Sequence, residues 1–550
     1  MAANPTIEIK VDQAGYLPGS PKLAMVATSP PASEFQVRRA GDGSVVFSGR
    51  LSMPARDHDS GDNVQTADFT DLQTSGRYYI EVPGVGRSWD FDIGPDTFAR
   101  AFYLAMRSFY GQRCGTAVDL GPEFPGFKHA PCHLKAEYHP SSGKTGPANI
   151  IGGWHDAGDY GRYVVNSGIT TGTLLWTWEI FGPRIGKTNL NIPESGNGTP
   201  DFLNEVRWNL NWMLAMQDSD GGLWQKEMTE NFGGFVMPEN DGMHYVIGTG
   251  KPPYKSSCAT ADFAAVMAIA NRVYAPFDAA FARRALDASR RAWVWLDKYP
   301  NVLFRNPPGV HTGEYGDSDC GDERLWAAAE LWRTTKEKAY QQYFVSHYGD
   351  YTNTLRAVRP QDWQYVAPLA MWTWVLGGAR DKAASDIRER TRTAADEVVA
   401  RTAQNGYRTS LASTDYIWGS NALAANYGVQ LVVADMIHPD ARYVNAAMDN
   451  LHYLLGRNTF SLSWLTAVGE HSVQHPHHRP SGADGLAAPW PGLLSGGPNQ
   501  DREDQVLRAL PQLPPAKIYV DSQDSYASNE IAINWNAALV FVLASTLPGR

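Results

Sequence analysis

The hydrophobic pattern changes its period once, at Gly94-Pro95, and this change limits most strongly what the chain can fold into. Before it, SWDFDI (residues 88–93) alternates polar and apolar residues, which is typical of a strand with one buried face. TIEIKV and GRYYIEV are also strand-like, and breaks rich in Gly and Pro separate such runs. About seven short strands in roughly 90 residues predict an antiparallel sandwich of immunoglobulin type.

After residue 95 the apolar spacing is helical as far as the C-terminus. In DFLNEVRWNLNWMLAMQ the apolar residues from Phe202 to Leu214 recur at the i, i+3, i+4 spacing of one helical face. About twelve such segments can be recognised by this period. They begin near residues 96, 165, 200, 259, 277, 322, 337, 363, 380, 421, 439 and 529. We predict six helical hairpins closed into an all-α (α/α)6 barrel. Stacked helical repeats are the alternative, but no fixed sequence period is visible.

The chain has 550 residues, which is longer than most domains that are built around a single hydrophobic core. We predict an immunoglobulin-like β-sandwich domain over residues 1–94 and a barrel domain over residues 95–550. The first has no candidate catalytic residue, and we expect it to support the barrel through an apolar interface. Long irregular stretches interrupt the helices at 115–160, 218–257, 300–321 and 457–528. Such long loops are usually functional, and in a barrel they would gather at one end and build a cleft.

Composition favours a glycan ligand over a charged polymer. The 18 Trp and 25 Tyr offer flat faces that suit sugar rings, although large cores use them too. The net charge is −10 without a cluster of Lys and Arg, so we expect no nucleic-acid partner. No apolar run approaches the ~20 residues needed to cross a bilayer, so we expect no membrane partner either. We expect a monomer. The N-terminus has no signal-peptide pattern, which leaves open a cytosolic protein or a secreted one whose leader has been removed.

The first candidate for chemistry is GGWHDAGDYGRYVV, residues 152–165. Ala and Gly separate Asp156 from Asp159, so a tight backbone could aim both carboxylates at one point. Hydrolysis with inversion needs a carboxylate that deprotonates a water, and a second acidic group can fix that water's position. The structural alternative is a turn in which Asp caps the next helix.

The second candidate is the segment from Tyr519 to Ala544, where an acidic, Ser-rich loop leads into a strongly apolar helix. Glu530 lies at the start of this helix, where the helix dipole would lower its pKa. A general acid needs a raised pKa, so burial or repulsion from Asp521 and Asp524 would have to outweigh the dipole. A capping Glu in the first turn is the alternative.

The third candidate is TAVGEHSVQHPHHRPSG, residues 466–482. His477 and Arg479 stand beside prolines and could donate hydrogen bonds to sugar hydroxyls. A metal site is the competing interpretation, with four histidines as ligands: His471, His475, His477 and His478.

Together these segments resemble glycoside hydrolase family 9, specifically the cellulases (endoglucanases) with an N-terminal immunoglobulin-like domain. The resemblance covers essentially the whole chain and begins with IKVDQAGYLPGSPK at residues 9–22. It continues through GGWHDAGDYGRYVV, YKSSCATADFAAVMAIANRVY, DERLWAAAELW, WGSN, PHHR and the segment that contains Glu530.

The resemblance implies a role for each candidate. Asp159 becomes the general base, and Asp156 assists with the water. Glu530 becomes the general acid, and Asp521 supports it. Sugar contacts are expected from His477, Arg479, Trp535, Tyr526 and Trp326.

Three positions depart from the family pattern. His471 stands where relatives often have Asn, Lys or Arg, Trp535 where many have Tyr, and Gln225 where they often have His. We expect these changes to affect subsites, and so chain-length and sugar preference, while the acid–base pair stays intact.

Two sets of residues are candidate metal sites. Cys114, Cys132, His133 and His155 suit tetrahedral Zn²⁺, although their spacing matches no compact zinc finger. The resemblance implies a structural zinc there, with His139 as the alternative fourth ligand. For Ca²⁺, the oxygen-rich loop DSDCGDE offers Ser318, Asp319, Asp322 and Glu323. The loop ESGNGTPD offers Glu194, Asn197 and Asp201. Both loops precede helices, so simple N-capping is the alternative.

The sequence therefore predicts an inverting endo-β-1,4-glucanase that acts on cellulose, soluble β-glucan and cello-oligosaccharides. One alternative is an exo-acting hydrolase of cello-oligosaccharides or glucosamine oligomers. A zinc hydrolase is disfavoured, because four protein ligands leave the metal no open position. A non-catalytic glycan-binding protein is the remaining alternative, against which the DAGD element and Glu530 argue.

Overall fold

The computed structural model describes residues 4–549, and its N-terminal part is a sandwich of two β-sheets. One sheet contains, in spatial order, Ile9–Lys10, Leu23–Val26, Asn63–Asp68 and Ala55–Arg56. The other contains Gly15–Tyr16, Phe91–Ile93, Gly76–Val82, Glu34–Arg39 and Val45–Arg50, with Gly86–Arg87 paired to Gly76–Val82. The predicted immunoglobulin-like sandwich is confirmed. It has ten strands rather than about seven, because four strands of two residues are too short to show a period.

Aromatic rings fill the core between the two sheets. The ring of Tyr16 meets those of Phe69 and Phe91 edge-on, at centroid distances of 5.1 and 5.3 Å. Phe91 and Ile93 are buried and Asp92 is exposed, as the alternation predicts. The alternation in SWDFDI also predicts Trp89 on this face, but the strand begins only at Phe91, and Trp89 contacts His471 of the second domain.

Twelve helices of ten or more residues follow within residues 4–549, and each begins within four residues of its predicted start. Six form an inner ring in which each packs against the next and the last against the first: Val164–Ile185, Ser257–Tyr274, Gly321–Thr335, Ala367–Leu376, Ser420–Ile437 and Ile533–Thr546. Six pack outside them: Ala99–Gly111, Asp201–Ala215, Ala279–Lys298, Lys338–His347, Lys382–Gln404 and Ala441–Leu454. The predicted (α/α)6 barrel is confirmed.

Sequence composition decides which helices lie inside. INWNAALVFVLAST, the helix Ile533–Thr546, is apolar around its whole circumference and therefore suits a position surrounded by protein. The helix Ala279–Lys298 has Arg and Asp on one side and buries Phe281, Ala288 and Trp295 on the other. Its polar face remains in water, which places it in the outer ring.

Most connections that enter the inner helices are longer than those that leave them, although 186–200, which leaves the helix Val164–Ile185, is as long as 405–419. The long ones span 112–163, 216–256, 299–320, 348–366, 405–419 and 455–532. All of them lie at the end of the barrel where the inner helices begin, as the sequence predicted. They are less irregular than expected. Residues 136–138, 147–148, 162–163, 226–228 and 244–247 form a five-stranded sheet, and 118–119 pairs with 128–129. Three one-turn helices complete them: Arg479–Ala483, Gln505–Arg508 and Tyr526–Asn529.

Across residues 4–549, no helix is both long and apolar enough to cross a membrane.

The interface between the sandwich and the barrel is only partly apolar. A buried apolar cluster joins Met25 of the sandwich to Tyr407 of the barrel, and polar contacts add to it. Asp62 of the sandwich accepts hydrogen bonds from the hydroxyls of Tyr407 (2.6 Å) and Thr459 (2.8 Å) and pairs with Lys517. These partners hold the pKa of Asp62 below its usual range, although partial burial opposes them. An ionised Asp62 therefore joins three separate barrel segments to the sandwich.

A second group of contacts reaches the loop 461–478. The amide of Gln13 donates to the carbonyls of Ser461 and His471 (both 3.0 Å) and accepts from the N–H of His471 (2.8 Å). The ring of His471 stacks on Trp89 at a centroid distance of 4.6 Å. Because residues 477–479 follow on this loop, the sandwich helps to fix a part of the cleft.

We predict that Asp62→Ala lowers the melting temperature of the protein. The substitution leaves Lys517 and two hydroxyls without their partner, and each unsatisfied buried group costs about 1–3 kcal/mol. Thermal unfolding followed by circular dichroism measures the effect. Asp71→Ala is the matched control, because Asp71 is an exposed aspartate of the same domain. Equal melting temperatures for the two variants would show that Asp62 does not hold the domains together.

Candidate active site

The long connections enclose a cleft with a volume of about 770 Å³. It contains both predicted catalytic segments and most of the predicted sugar contacts. Its walls comprise Asp156, Ala157, Asp159, Tyr163, Phe232, Gly313, Glu314, Tyr315, Trp363, Trp418, His477, Arg479, Tyr526, Glu530, Ala532, Asn534 and Trp535.

Backbone hydrogen bonds join the three segments that carry the polar groups of the cleft. The N–H of Ile533 donates to the carbonyl of Asp156 (2.9 Å), and that of His477 donates to the carbonyl of Asn529 (2.7 Å). Residues separated by almost 400 positions are therefore held in register by main-chain contacts.

Gly158 allows the closest of these approaches. Its carbonyl accepts from the N–H of Arg479 (2.9 Å), and a Cβ at this position would lie 2.0 Å from the carbonyl oxygen of His477. Any side chain at position 158 would therefore push the two segments apart. This explains physically why the DAGD element has a glycine before its second aspartate.

Asp156 is buried and fully hydrogen-bonded. Its Oδ1 accepts from the amide of Asn166 and its Oδ2 from the hydroxyl of Tyr315, both at 2.7 Å. Burial and the neighbouring charge of Asp159 raise the pKa of Asp156 to about 8. Near neutral pH the two aspartates therefore carry about one negative charge between them.

Of the two aspartates, Asp159 is the one whose surroundings favour the ionised form more strongly. Burial raises its pKa too, but the positive charge of Arg479 and the N–H of Gly161, which donates to Oδ2 at 3.1 Å, favour the ionised form. Asp156 keeps its proton more readily, and Asp159 is left as the carboxylate.

Glu530 is set up in the opposite way. Glu530 follows the short helix Tyr526–Asn529 and lies before the helix that begins at Ile533. The sequence predicts it at the start of the final helix, which it precedes. Burial and then the charges of Asp159 and Asp156 raise its pKa well above the usual value. Asp159 and Asp156, rather than Asp521 and Asp524, supply the repulsion, and burial together with this repulsion favours the protonated form of Glu530.

Asp521 does not line the cleft. Its carboxylate accepts from the N–H groups of Gln474 (2.8 Å) and His475 (2.9 Å) and from the amide of Asn529 (2.9 Å). Asp521 therefore connects the loop before His477 to the residue before Glu530. Its contacts reach the site only through these neighbouring residues, and its support for Glu530 stays a prediction.

His477 and Arg479 both reach the cleft. The Nδ1 of His477 is hydrogen-bonded to the carbonyl of Gln523, and burial lowers the pKa of the ring, which leaves the other nitrogen for a ligand. Arg479 is only 7% exposed, and its Nη1 has no hydrogen-bond partner within the described residues. Both side chains can therefore still bind a polar ligand in the cleft.

The four histidines of this loop do not gather around a common point. His471 is hydrogen-bonded to the carbonyl of Ser461, His475 is exposed, and His478 contacts Gln112. The alternative of a histidine metal site is therefore wrong.

Of the three predicted aromatic contacts, two lie in the cleft. Trp535 lines it, and Tyr526, which is 38% exposed, lies 5.3 Å from the ring of Trp418. The prediction for Trp326 is wrong. Its ring is 1% exposed within the helical core, and its indole N–H donates to Glu330 at 3.3 Å.

Two of the three departures from the family pattern do not touch the cleft. His471 lies in the interface with the sandwich. Gln225 is buried, and its amide donates to the carbonyl of Tyr315 (3.1 Å). The next residue, Lys226, donates to the carbonyl of Gly313 (2.6 Å) and has its pKa lowered to about 7 by burial. These two side chains support the segment that carries Tyr315.

Beside the cleft, Cys114, Cys132, His133 and His155 are brought together with all four ligand atoms within 4.8 Å of one another. The two sulfur atoms are 3.8 Å apart, and sulfur–nitrogen distances are 3.3 Å to His133 and 3.6 Å to His155. Ligands about 2.3 Å from a tetrahedral metal lie at about such separations. His139, the alternative ligand, is instead hydrogen-bonded to Ser141 (2.8 Å).

The region predicted to bind calcium has buried carboxylates, but not quite the predicted set. Ser318 and Asp319 are exposed, and Asp319 accepts from the hydroxyl of Tyr351 (2.7 Å). Asp322 accepts from the N–H of Val366 (2.9 Å). In this region, buried carboxylate oxygens without a hydrogen-bond partner in the described residues belong to Asp262, Asp317 and Glu323. The adjacent cysteines, Cys258 and Cys320, form a disulfide.

The second predicted calcium loop is wrong. Both oxygens of Glu194 pair with the guanidinium of Arg113, each at 3.0 Å. Asp201 accepts from the N–H of Leu190 (2.8 Å). Asn197 accepts from the N–H of Thr199 (2.8 Å). The three side chains are used by separate partners, and none of them caps the helix Asp201–Ala215, whose N-cap residue is Pro200.

Several residues of the cleft were not predicted from the sequence. Asn166 and Tyr315, which hold Asp156, gave no signal, because only the fold brings them to that carboxylate. Trp363 lies in a connection of ordinary composition. Trp418 belongs to the WGSN motif, which could have suggested it.

Comparisons with known proteins agree with this architecture. The family model "Glycosyl hydrolase family 9" matches residues 98–543, and "Cellulase N-terminal ig-like domain" matches residues 4–87. Endoglucanase D of Acetivibrio thermocellus is 38% identical over 98% of this chain and 83% of its own length. A xyloglucan-specific endo-beta-1,4-glucanase of Bacteroides ovatus is 35% identical over 99% of this chain and 94% of its own.

Among solved structures, a Zn-binding triple mutant of the family 9 endoglucanase J30 superimposes with a TM-score of 0.90 and 36% identity. The match covers 97% of this chain and all of the other. The family model spans most of the chain, and the relatives match it almost from end to end. The chain therefore belongs to glycosyl hydrolase family 9 and is a glycoside hydrolase with an N-terminal immunoglobulin-like domain.

Proposed function

We propose that this protein is an endoglucanase that hydrolyses β-1,4-glucosidic bonds with inversion at the anomeric carbon. The observation that carries the proposal is one cleft in which Asp159 is favoured as a carboxylate and Glu530 as a carboxylic acid. Inverting glycoside hydrolysis needs one acidic residue in each of these states. The similarity to Endoglucanase D and to a xyloglucan-specific endo-beta-1,4-glucanase supports this substrate class.

Asp159 acts as the general base. It binds a water on one side of the sugar and takes its proton as the oxygen attacks the anomeric carbon. Asp156, which donors from Asn166 and Tyr315 hold in place, keeps its proton and helps to position the same water. Because Asp156 is protonated, it does not compete with Asp159 for the proton that is released.

Glu530 acts as the general acid and protonates the leaving glycosidic oxygen. Its raised pKa keeps it protonated until the bond breaks. Loss of the proton would add a negative charge beside Asp159, but Asp159 is neutralised in the same step as it takes the proton from water. The two carboxyl groups therefore exchange protonation states, and the charge of the site is conserved.

The other residues of the cleft bind the glucan. The free Nη1 of Arg479 and the free ring nitrogen of His477 suit sugar hydroxyls. Trp363, Trp418 and Trp535 offer apolar faces to pyranose rings.

We predict that Glu530→Gln lowers kcat by about 10²- to 10⁴-fold on carboxymethyl cellulose, because it removes the proton donor but keeps the side chain's shape. The alkaline limb of the pH–rate profile should disappear as well. On an aryl cellobioside with an activated leaving group the loss should be much smaller. Asp159→Asn should be severe on both substrates, because both need the activated water.

Asp524→Asn is the matched control for these two variants, because Asp524 is an exposed acidic residue of the same segment. Its kcat should equal that of the wild type. An Asp159→Asn enzyme with wild-type rates would contradict the assigned base. A Glu530→Gln enzyme equally impaired on both substrates would contradict the assigned acid.

We also propose that the Cys114, Cys132, His133 and His155 group holds a structural zinc ion. Two thiolates and two imidazoles are the ligands that zinc prefers, and four protein ligands complete its coordination. His155 precedes Asp156 directly, so the bound metal would fix the start of the DAGD element. Calcium is proposed near Asp262, Asp317, Asp322 and Glu323, where a cation would neutralise buried carboxylates.

We predict about one zinc per chain by elemental analysis. Cys132→Ser should lose the metal and lower the melting temperature, because binding free energy contributes to folding. The kcat of the protein that remains folded should change less. His311→Asn, which alters an exposed histidine, should keep both the zinc and the melting temperature. Metal-replete wild-type protein without zinc would contradict the proposed site.

A further inference from the structure

Segment 229–241 forms one edge of the cleft and presents an aromatic ring to it. Phe232 lines the cleft and is 50% exposed, although most large rings of the chain are buried. Phe232 takes no part in the acid–base chemistry of Asp159 and Glu530. An aromatic face that remains open within a sugar-binding cleft is available for a ligand.

Backbone carbonyls on both sides of Phe232 accept hydrogen bonds. The carbonyl of Glu230 accepts from the N–H of His311 (2.7 Å), and that of Asn231 accepts from the hydroxyl of Thr229 (2.6 Å). Further along, the carbonyl of Val236 accepts from the hydroxyl of Tyr160. The position of the ring is therefore set before a ligand arrives, which lowers the entropic cost of binding.

Arg479 connects Phe232 to the catalytic centre. Its guanidinium carbon lies 5.6 Å from the centroid of the Phe232 ring, and its Nε and Nη2 donate to the carbonyl of Gly233 at 3.3 and 3.1 Å. The charge of the same guanidinium acts on Asp159 and Glu530. The cation covers part of the ring, while the exposed half of the ring faces the cleft.

The other end of segment 229–241 is also held by side-chain contacts. The Oδ2 of Asp241 lies 3.2 Å from Nε2 of His244 and 3.4 Å from Nε2 of His133. The edge that carries Phe232 is thus attached to the catalytic loop at one point and to the grouped Cys and His side chains at another. A mobile surface loop would not need both attachments.

We propose that Phe232 is a sugar-stacking residue that sets chain-length preference. Its ring would bind the apolar face of a glucosyl unit beyond the bond that is cleaved, next to Arg479. The unpartnered Nη1 of Arg479 supplies a hydrogen-bond donor for a hydroxyl nearby. The inference rests on the proposed glucanase function and adds to it a subsite that longer oligosaccharides fill in more of their binding registers than short ones do.

Hydrolysis of cellotriose and cellohexaose by wild type and Phe232→Ala tests the proposal. One lost stacking contact should lower kcat/KM for cellohexaose by about 3- to 10-fold. The value for cellotriose should change less than twofold, because three sugar units can span the catalytic residues in binding registers that leave the subsite at the ring empty. Phe232→Trp should keep the wild-type preference for cellohexaose over cellotriose, because its ring can also stack on a sugar. A residue with only a structural role would not be expected to show this dependence on an aromatic ring.

Phe277→Ala is the matched control, because Phe277 is also about half exposed and lies on a short connection at the other end of the barrel. It should leave both substrates unchanged. An unaltered ratio of the two kcat/KM values in Phe232→Ala overturns the proposal, whether both values fall together or neither falls. That result leaves the glucanase function intact. A wild-type enzyme that hydrolyses neither substrate would instead refute the function itself.

Discussion

The site depends on main-chain hydrogen bonds between segments that are remote in sequence. The DAGD loop is bonded to Ile533 on one side and to Arg479 on the other, and Gly158 allows both segments to come that close. Each segment leads into, or lies beside, the first turn of an inner helix. The closed ring of six inner helices therefore fixes where the segments start, and the hydrogen bonds fix how they meet. Asp159 and Glu530 inherit their relative position from this arrangement.

The electrostatics of the cleft follow from the same closeness. Three carboxyl groups, Asp156, Asp159 and Glu530, share a buried space with one guanidinium, Arg479. They cannot all be ionised, since burial disfavours charge and each carboxylate disfavours the next. Hydrogen bonds and the guanidinium decide which one is charged. The difference between base and acid thus comes from position in the fold, because an isolated Asp and Glu have nearly the same pKa.

Periodic and local features could be predicted from the sequence, whereas long-range partners could not. The helical period located all twelve long helices, but strands of two to four residues are too short for a period to appear. The cysteine and histidine set was found from ligand chemistry, and the DAGD, PHHR and Glu530 segments from the family resemblance. Trp326 was misplaced, because a motif does not show which side of a helix faces the core. Tyr315 and Asn166 could not be predicted as partners of Asp156, because only the folded chain brings them to it.

The most direct test of the account is the configuration of the first product. Proton NMR of a β-1,4-glucan oligosaccharide, recorded within the first minutes of hydrolysis, distinguishes the two anomers before mutarotation mixes them. A water activated by Asp159 on the side opposite the protonated Glu530 must yield the α-anomer first. Initial appearance of the β-anomer would contradict the account, because it would require a covalent intermediate and a nucleophile in place of the base.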